Sequence, residues 1–374
     1  MNAQAKSRRD HPSPLAERLK DRIARDGPIS VHDYMETCLA DAHGGYYATR
    51  QPVGSKGDFI TAPEISQVFG ELIGAWAAAT WQAMGSPTPV IIAELGPGRG
   101  TLMADAMRLF KTVPNLADRA RIALVETSPV LREAQRQTLA GAPVRPKWYE
   151  RLEDVPPGPL IVIANEFIDA LPVRQFIRVG RDWRERAITV DTNGGFTFCA
   201  GAAVEEDALP PALRERAADE GAIAEARPGA IALLATLAAR AKDAPVAALM
   251  IDYGHDESGF GDTLQAVRGH RFDDPLASPG EADLTAHVDF AALRAAAQRL
   301  GLAVYGPMPQ GEFLLKLGLE ARLARLCRDA RPDQKEALLS GAARLADPRQ
   351  MGVLFKALIL QSSGLAPPPP FGEI

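Results

Sequence analysis

Seven residues, Glu94-Leu95-Gly96-Pro97-Gly98-Arg99-Gly100, have the types and spacing of a ligand cradle. They follow an apolar run, VIIAEL (90–95), and precede a segment of helical spacing that begins near Thr101. Glycines allow backbone N–H groups to approach a ligand closely, and a helix N-terminus presents further N–H donors to it. The acid Glu126 closes the next apolar run, where its carboxylate can accept hydrogen bonds from ribose hydroxyls. The spacing excludes a dinucleotide fingerprint, G-x-G-x-x-G/A, because the sixth position is Thr101 counted from Gly96 and Met103 counted from Gly98. A second group, Asn165-Glu166-Phe167-Ile168-Asp169, follows the run 160–164 and so falls at the carboxyl end of a strand, where open α/β sheets bind ligands. Asp252 ends a further run, with His255 in the loop behind it.

The elements that must position these groups show as alternation. VIIAEL, RIALVE (121–126), LIVIANEF (160–167) and VAALMID (246–252) are apolar runs separated by amphipathic helices, the mark of βαβ units and a parallel sheet. Upstream, 13–42 has helical spacing, with Ser30 as N-cap of a helix from Val31 to Ala40. A loop broken by Gly and Pro, 44–66, leads to an apolar helix from Gln67 to Ala83, on which Trp76 and Trp81 read as core; the aromatics Tyr46, Tyr47 and Phe59 argue against disorder in the loop. The stretch 170–245 reads as an insertion, first strands (QFIRV, RERAITV and FTFCA across a TNGG turn), then an Ala-rich helical part. After it come a Gly/Asp/His-rich loop (253–285), a helix from Val288 to Leu300, short strands at 302–305 and 354–360, and a tail, APPPPFGEI, expected to be loose. The fold predicted is α/β, a Rossmann-like sheet with helices on both faces. It divides into a helical N-terminal arm with a gating loop (1–88), the sheet domain (89–169 and 246–364), an inserted β/α substrate-side subdomain (170–245) and the tail (365–374).

G-x-G-x-G preceded by Glu94 resembles motif I of class I S-adenosylmethionine-dependent methyltransferases. Together with GDFITAPEISQVFGELIG (57–74), ELGPGRGTLMAD (94–105), VETSP (125–129), NEFIDALPVRQF (165–176), DYGH (252–255), GDTLQAVRGH (261–270) and ADLTAHVDF (282–290), it is similar to the MidA family. That family includes the mitochondrial complex I assembly-factor arginine methyltransferase and its bacterial relatives. The matching segments run in order from about Gly44 to Lys356. The resemblance implies a class I methyltransferase sheet, S-adenosylmethionine as cofactor, and methylation of a protein arginine, for the mitochondrial member on a core subunit of NADH:ubiquinone oxidoreductase. Glu94, Gly96, Gly98, Gly100, Glu126 and Asn165 are then the residues expected at the cofactor.

An arginine acceptor sets a chemical demand. Its guanidinium is always charged in water, so attack through one nitrogen requires the charge to be localised away from that nitrogen or neutralised as a proton leaves. Carboxylates meet that demand by bidentate pairing. Glu166 is the first choice for the clamp and Asp169 the second, with Asp252 and His255 as candidates for a later proton acceptor. Within the loop 57–66, Asp58, Phe59, Thr61 and Glu64 are expected to gate the site, with apolar atoms excluding water and carboxylates facing the acceptor. Plainer roles compete: Glu166 and Asp169 as acids favoured at a helix N-terminus, His255 as a backbone cap, the loop as a rigid connector. Two other functions compete as well, an assembly chaperone that binds S-adenosylmethionine with little catalysis, and a small-molecule methyltransferase.

Composition narrows the classes further. Lys+Arg minus Asp+Glu is 42 − 47 = −5 over 374 residues, with no basic patch, which argues against nucleic acid. No H-x-x-x-H or H-E-x-x-H pattern occurs, so no metal is expected, and no G-x-S-x-G supports a hydrolase. The longest apolar stretches fall short of the ~20 residues that span a bilayer. Cys38, Cys199 and Cys327 are scattered and odd in number, as suits packing thiols in a reducing cytoplasm. The first 27 residues lack an apolar signal core and carry Asp10, Glu17 and Asp21, which sets a bacterial cytoplasm ahead of a mitochondrial matrix. The partner expected is a protein substrate, with a homodimer compatible with the sequence.

Overall fold

The computed structural model describes residues 13–50 and 60–372. Asp58 and Phe59 of the expected gate lie outside the described residues. The central sheet is built on seven strands: β1 Val90–Leu95, β2 Ala120–Val125, β3 Lys147–Tyr149, β4 Leu160–Asn165, β5 Val246–His255, β6 Ala303–Pro309 and β7 Phe355–Gln361. Their spatial order is β6-β7-β5-β4-β1-β2-β3. Strands β1 to β5 are parallel, with Ile92 beside Ile122 on one side and Ile161 on the other, while β7 runs antiparallel between β5 and β6. Every residue of β1 is buried, which is why its sequence is apolar without alternation.

Both faces of the sheet are covered. On one, the helices Gln67–Ala83 and Thr101–Phe110 pack over Ile92, Ile122, Ile161 and Ile359, with Trp76 and Trp81 buried among them. The two helices approach closely because Gly74 has no side chain: a Cβ there would lie 2.7 Å from the Ala106 Cα. On the other face, Pro228–Arg240 and Phe290–Arg299 pack over Ile91, Ala93 and Val162.

A separate apolar cluster joins segments far apart in sequence. Helices Pro14–Asp26 and Val31–Ala40, capped by Ser13 and Ser30 through bonds from the Ala16 and Asp33 N–H groups (3.1 and 3.0 Å), contribute Leu15, Leu19, Val31, Tyr34 and Leu39. Ile188 comes from a five-stranded sheet that includes Arg174–Val179, Asp182–Val190 and Phe196–Val204, and Leu284 from a three-stranded sheet of Gln265–Arg268, Arg271–Asp273 and Asp283–Thr285. The Tyr34 hydroxyl donates to the Pro275 carbonyl at 3.0 Å and the Ser13 hydroxyl to that of Pro279 at 3.2 Å, tying arm to sheet.

Several local expectations are corrected. Residues 253–285 are not a loop: β5 continues to His255, and three short strands follow whose three or four residues are too few to display alternation. The later part of the insertion is not simply helical, since Ile223–Ala226 pairs antiparallel with Arg174–Val179. Val288–Asp289 is a short strand beside β5, and the next helix begins at Phe290 with Asp289 as its N-cap, its carboxylate accepting from the Ala292 N–H at 2.8 Å. Helices at Gln310–Lys316, Leu319–Arg328 and Pro332–Ala346 were not anticipated. The tail is not loose up to residue 372: the Gln361 amide donates to the Leu365 and Ala366 carbonyls, and the Phe371 ring lies 5.8 Å from that of Tyr305. All three thiols are free, but Cys38 is buried whereas Cys199 and Cys327 are half-buried. Among the described residues no helix is long and apolar enough to cross a membrane.

Candidate active site

The chain leaves β1 outward to β2 and β3, then returns to lay β4 and β5 on the other side of β1. This reversal opens a crevice beyond the carboxyl ends of β1 and β4, the place where such sheets take ligands. A cavity of about 520 Å³ occupies it, lined by Glu94, Gly96 to Arg99, Glu126, Asn165, Glu166 and Phe167 from the sheet side. Glu36, Leu39 and Tyr47 of the arm line its other side. Gly96, Gly98 and Gly100 all have left-handed φ (59°, 52° and 83°), which L side chains rarely adopt, so the sequence G-x-G-x-G is what permits this path into the Thr101–Phe110 helix. A Cβ on Gly96 would meet the Phe167 ring at 2.8 Å, so cradle and carboxylate turn touch.

Glu126 sits at the end of β2 with both oxygens engaged. One accepts from the Ser128 N–H at 2.8 Å, the other from the Gln135 amide at 3.2 Å, and Gln135 also donates to the Gly98 carbonyl at 2.8 Å. The Ser128 hydroxyl in turn donates to the Tyr47 carbonyl at 2.6 Å, which fastens the arm over this end of the cavity. Sequence reading missed these fasteners; the signal for Ser128 was its place before Pro129 as a helix N-cap.

Two residues that line the cavity each hold a buried side-chain oxygen without a hydrogen-bond partner, one carboxylate oxygen of Glu94 and the amide oxygen of Asn165. Buried polar atoms are normally satisfied, so an unpaired acceptor in a cavity wall marks where a ligand donor belongs. Burial, with Asp105 adding repulsion, pushes the Glu94 carboxyl up to about 8.

Glu166 is the other unusual acid. Its φ is +49°, a conformation that costs a non-glycine residue ~1 kcal/mol or more. One carboxylate oxygen accepts from the Ala62 N–H at 2.8 Å and from the Asn165 amide at 3.2 Å. Burial pushes its carboxyl up to about 7 despite the bond from Ala62, and nearby Asp169 raises it further.

The remaining expected residues fall in different places. Thr61 lines the cavity. Glu64 lines it too, but its oxygens face the cradle: one pairs with Arg99 at 3.3 Å and the other accepts from the Thr101 hydroxyl, so it fastens the loop 60–65 to the helix start. Asp169 and Asp252 are buried behind the carboxylate turn rather than lining the cavity, and Asp252 spends one oxygen on the Ile168 and Asp169 N–H groups at 2.9 and 3.1 Å. His255 lines a second cavity of about 900 Å³, which shares Ile168 and Val173 with the outer side of this turn, and its Nδ1 is bonded to the Glu257 carbonyl at 2.8 Å. A proton acceptor at Asp252 or His255 is therefore cut off from the cradle. His32, Asp33 and Glu36 bring ligand atoms within 4.8 Å of one another on the arm, a partly exposed acidic group of a kind that commonly occurs without an ion.

The raised acids have a consequence for stability. Because Glu94 and Glu166 bind protons more tightly folded than unfolded, their contribution is full below pH ~4.5 and is lost as pH rises toward about 7 for Glu166 and about 8 for Glu94. The melting temperature of the cofactor-free protein should fall between pH 5 and 8, and Glu94→Gln should flatten that fall. A wild-type melting temperature constant across this window would contradict it.

This strand order and crevice define a Rossmann-like methyltransferase. Over residues 72–308 the chain matches the model of a family of S-adenosyl-L-methionine-dependent methyltransferases, and it belongs to that family. It is 38% identical over 372 residues to the Mus musculus protein arginine methyltransferase NDUFAF7, mitochondrial, spanning 92% of this chain and 83% of that one. It is 37% identical over 391 residues to the Drosophila melanogaster homolog of that enzyme, spanning 97% and 88%. A Burkholderia thailandensis protein crystallised with S-adenosyl-homocysteine shares the fold with a TM-score of 0.81 and 30% identity over 96% of each chain. The chain is thus an S-adenosylmethionine-dependent methyltransferase, as the MidA resemblance implied.

Proposed function

We propose that this enzyme transfers a methyl group to an arginine side chain of a protein. The observation that carries the reading is Glu166, a carboxylate held in a strained turn at the cavity wall, whose desolvation is relieved when a cation arrives. S-adenosylmethionine supplies an electrophilic methyl group on its sulfonium. The unpartnered oxygens of Glu94 and Asn165 suit the donors of its amino-acid end, Glu126 suits its ribose, and the glycine cradle leaves room for its backbone-close approach. Glu166 receives the guanidinium, draws its positive charge toward the paired nitrogens and leaves the third as the nucleophile. The Ala62 N–H fixes one oxygen of Glu166, so the other is free to turn toward the acceptor. The raised proton affinity of Glu166 also suits it to take the proton released after transfer.

The names of the mouse and fly relatives support an arginine acceptor. By the MidA resemblance we assign the acceptor to a subunit of NADH:ubiquinone oxidoreductase, and the three free thiols suit a reducing compartment. The test is mass spectrometry of that complex from cells with and without the enzyme. A methylated arginine present only with the enzyme is the expected result; identical arginine methylation in both strains would reject the acceptor.

A further inference from the structure

The carboxylate turn is held from behind by two residues that never reach the cofactor cavity. Asp252, at the end of β5, accepts from the Ile168 and Asp169 N–H groups with one oxygen and from the Tyr253 N–H, at 2.9 Å, with the other. Arg227, the residue that opens the Pro228–Arg240 helix of the insertion, donates to the Ile168 carbonyl at 2.7 Å and to the Ala286 carbonyl at 2.8 Å. Ala286 closes the ring by donating its N–H to the Asp169 carbonyl at 3.1 Å. The Glu166 N–H continues the β4–β5 pairing by donating to Ile251 at 2.9 Å. Peptide groups on both sides of Ile168 are thus fixed to β5, to the insertion and to the 283–286 strand end. A turn with this many fixed groups can hold a non-glycine residue at φ +49°, where a free loop would relax.

We propose that Asp252 and Arg227 are positioning residues for methyl transfer, a brace that sets the backbone of Glu166 and so aims its carboxylate at the acceptor. They act through Glu166, and the proposal rests on the reading of Glu166 given above. Arg227 makes the inserted segment a structural part of the active site, although nothing in its sequence surroundings suggested a role.

The experiment uses the full-length enzyme, S-adenosylmethionine and an arginine-bearing acceptor, with Asp252→Asn, Arg227→Lys and each combined with Glu166→Gln. Asp252→Asn keeps the shape but turns an N–H donor against one set of backbone donors; Arg227→Lys keeps the charge but is shorter and lacks the planar fork whose two nitrogens meet the two carbonyls. Each single variant should lower kcat at least tenfold while S-adenosylmethionine affinity, read by calorimetry as the check of folding, stays within twofold. In the Glu166→Gln background neither should lower kcat further, because the group they aim is gone. Where Glu166→Gln itself slows transfer, wild-type kcat in Arg227→Lys, or losses that multiply in the double variants, would overturn the brace.

A second readout does not depend on the role of Glu166 in transfer. Carboxylate NMR should show Glu166 of Arg227→Lys titrating below its value of about 7, as the loosened turn admits water. An unmoved titration would overturn the brace. If instead Glu166→Gln transferred methyl at the wild-type rate while Arg227→Lys moved the titration, the brace would stand and the reading of Glu166 would fall.

Discussion

Glu166→Gln should lose methyl transfer by ~30- to 100-fold, or ~2–3 kcal/mol, and keep its affinity for S-adenosylmethionine. The amide oxygen can still accept from the Ala62 N–H, so the loop 60–65 has no reason to move. What disappears is the negative charge that localises the guanidinium's positive charge and the base that takes its proton. The pH profile separates these effects from a general disturbance. In the wild type, kcat/KM should climb through about pH 7 as free Glu166 ionises, and this limb should vanish in the variant. A variant that transfers methyl at the wild-type rate with the limb intact would leave Glu166 as a structural acid.

Gly98→Val should abolish measurable cofactor binding, a loss of at least ~100-fold in affinity. Gly98 has φ +52° and lines the cavity between Gly96 and Gly100. A β-branched residue is strained at that backbone angle, and its methyl groups would enter the space the ligand needs. Its carbonyl accepts from Gln135, which also holds Glu126, so a shift of the backbone at 98 would travel to the ribose side. Calorimetry on folded protein is the check; retained nanomolar or micromolar affinity close to the wild type would remove the cradle from the cofactor site.

The sheet was legible because buried parallel strands need unbroken apolar sequence, and each predicted run from 90 to 252 lies on a strand except for Glu126, Glu166 and Phe167, which fall just past the strand ends. The cradle was legible because left-handed φ at three alternate positions demands glycine. Glu166 was found by its place after a strand, but its strain was not, since nothing in a sequence marks a glutamate that is held at positive φ by its neighbours. Asp169 ranks second to it for the clamp, and Asp252 and His255 read as later proton acceptors, because all are polar groups near strand ends. Which of them faces the crevice depends on a turn of a few residues, and that geometry is fixed by Arg227 and Ala286, far away along the chain. The strands within 265–285 are too short to outweigh their Gly and Pro neighbours, whereas Leu319, Leu323 and Leu326 do carry helical spacing along Leu319–Arg328, so that helix was legible in the residues themselves.

The arm that roofs the cavity is joined to residues made much later. Tyr34 meets Pro275 across 241 positions and Ser13 meets Pro279 across 266. A ribosome adding ~5–20 residues per second leaves the helices 14–26 and 31–40 waiting for roughly 10–50 s before these last partners emerge. During that interval Leu15, Leu19, Val31 and Leu39, all buried in the finished protein, lack the part of their cover that Leu276, Ala282 and Leu284 supply. The arm is therefore completed only after residues near 280 have been made, and until then the growing polypeptide carries part of this apolar surface as an adhesive patch.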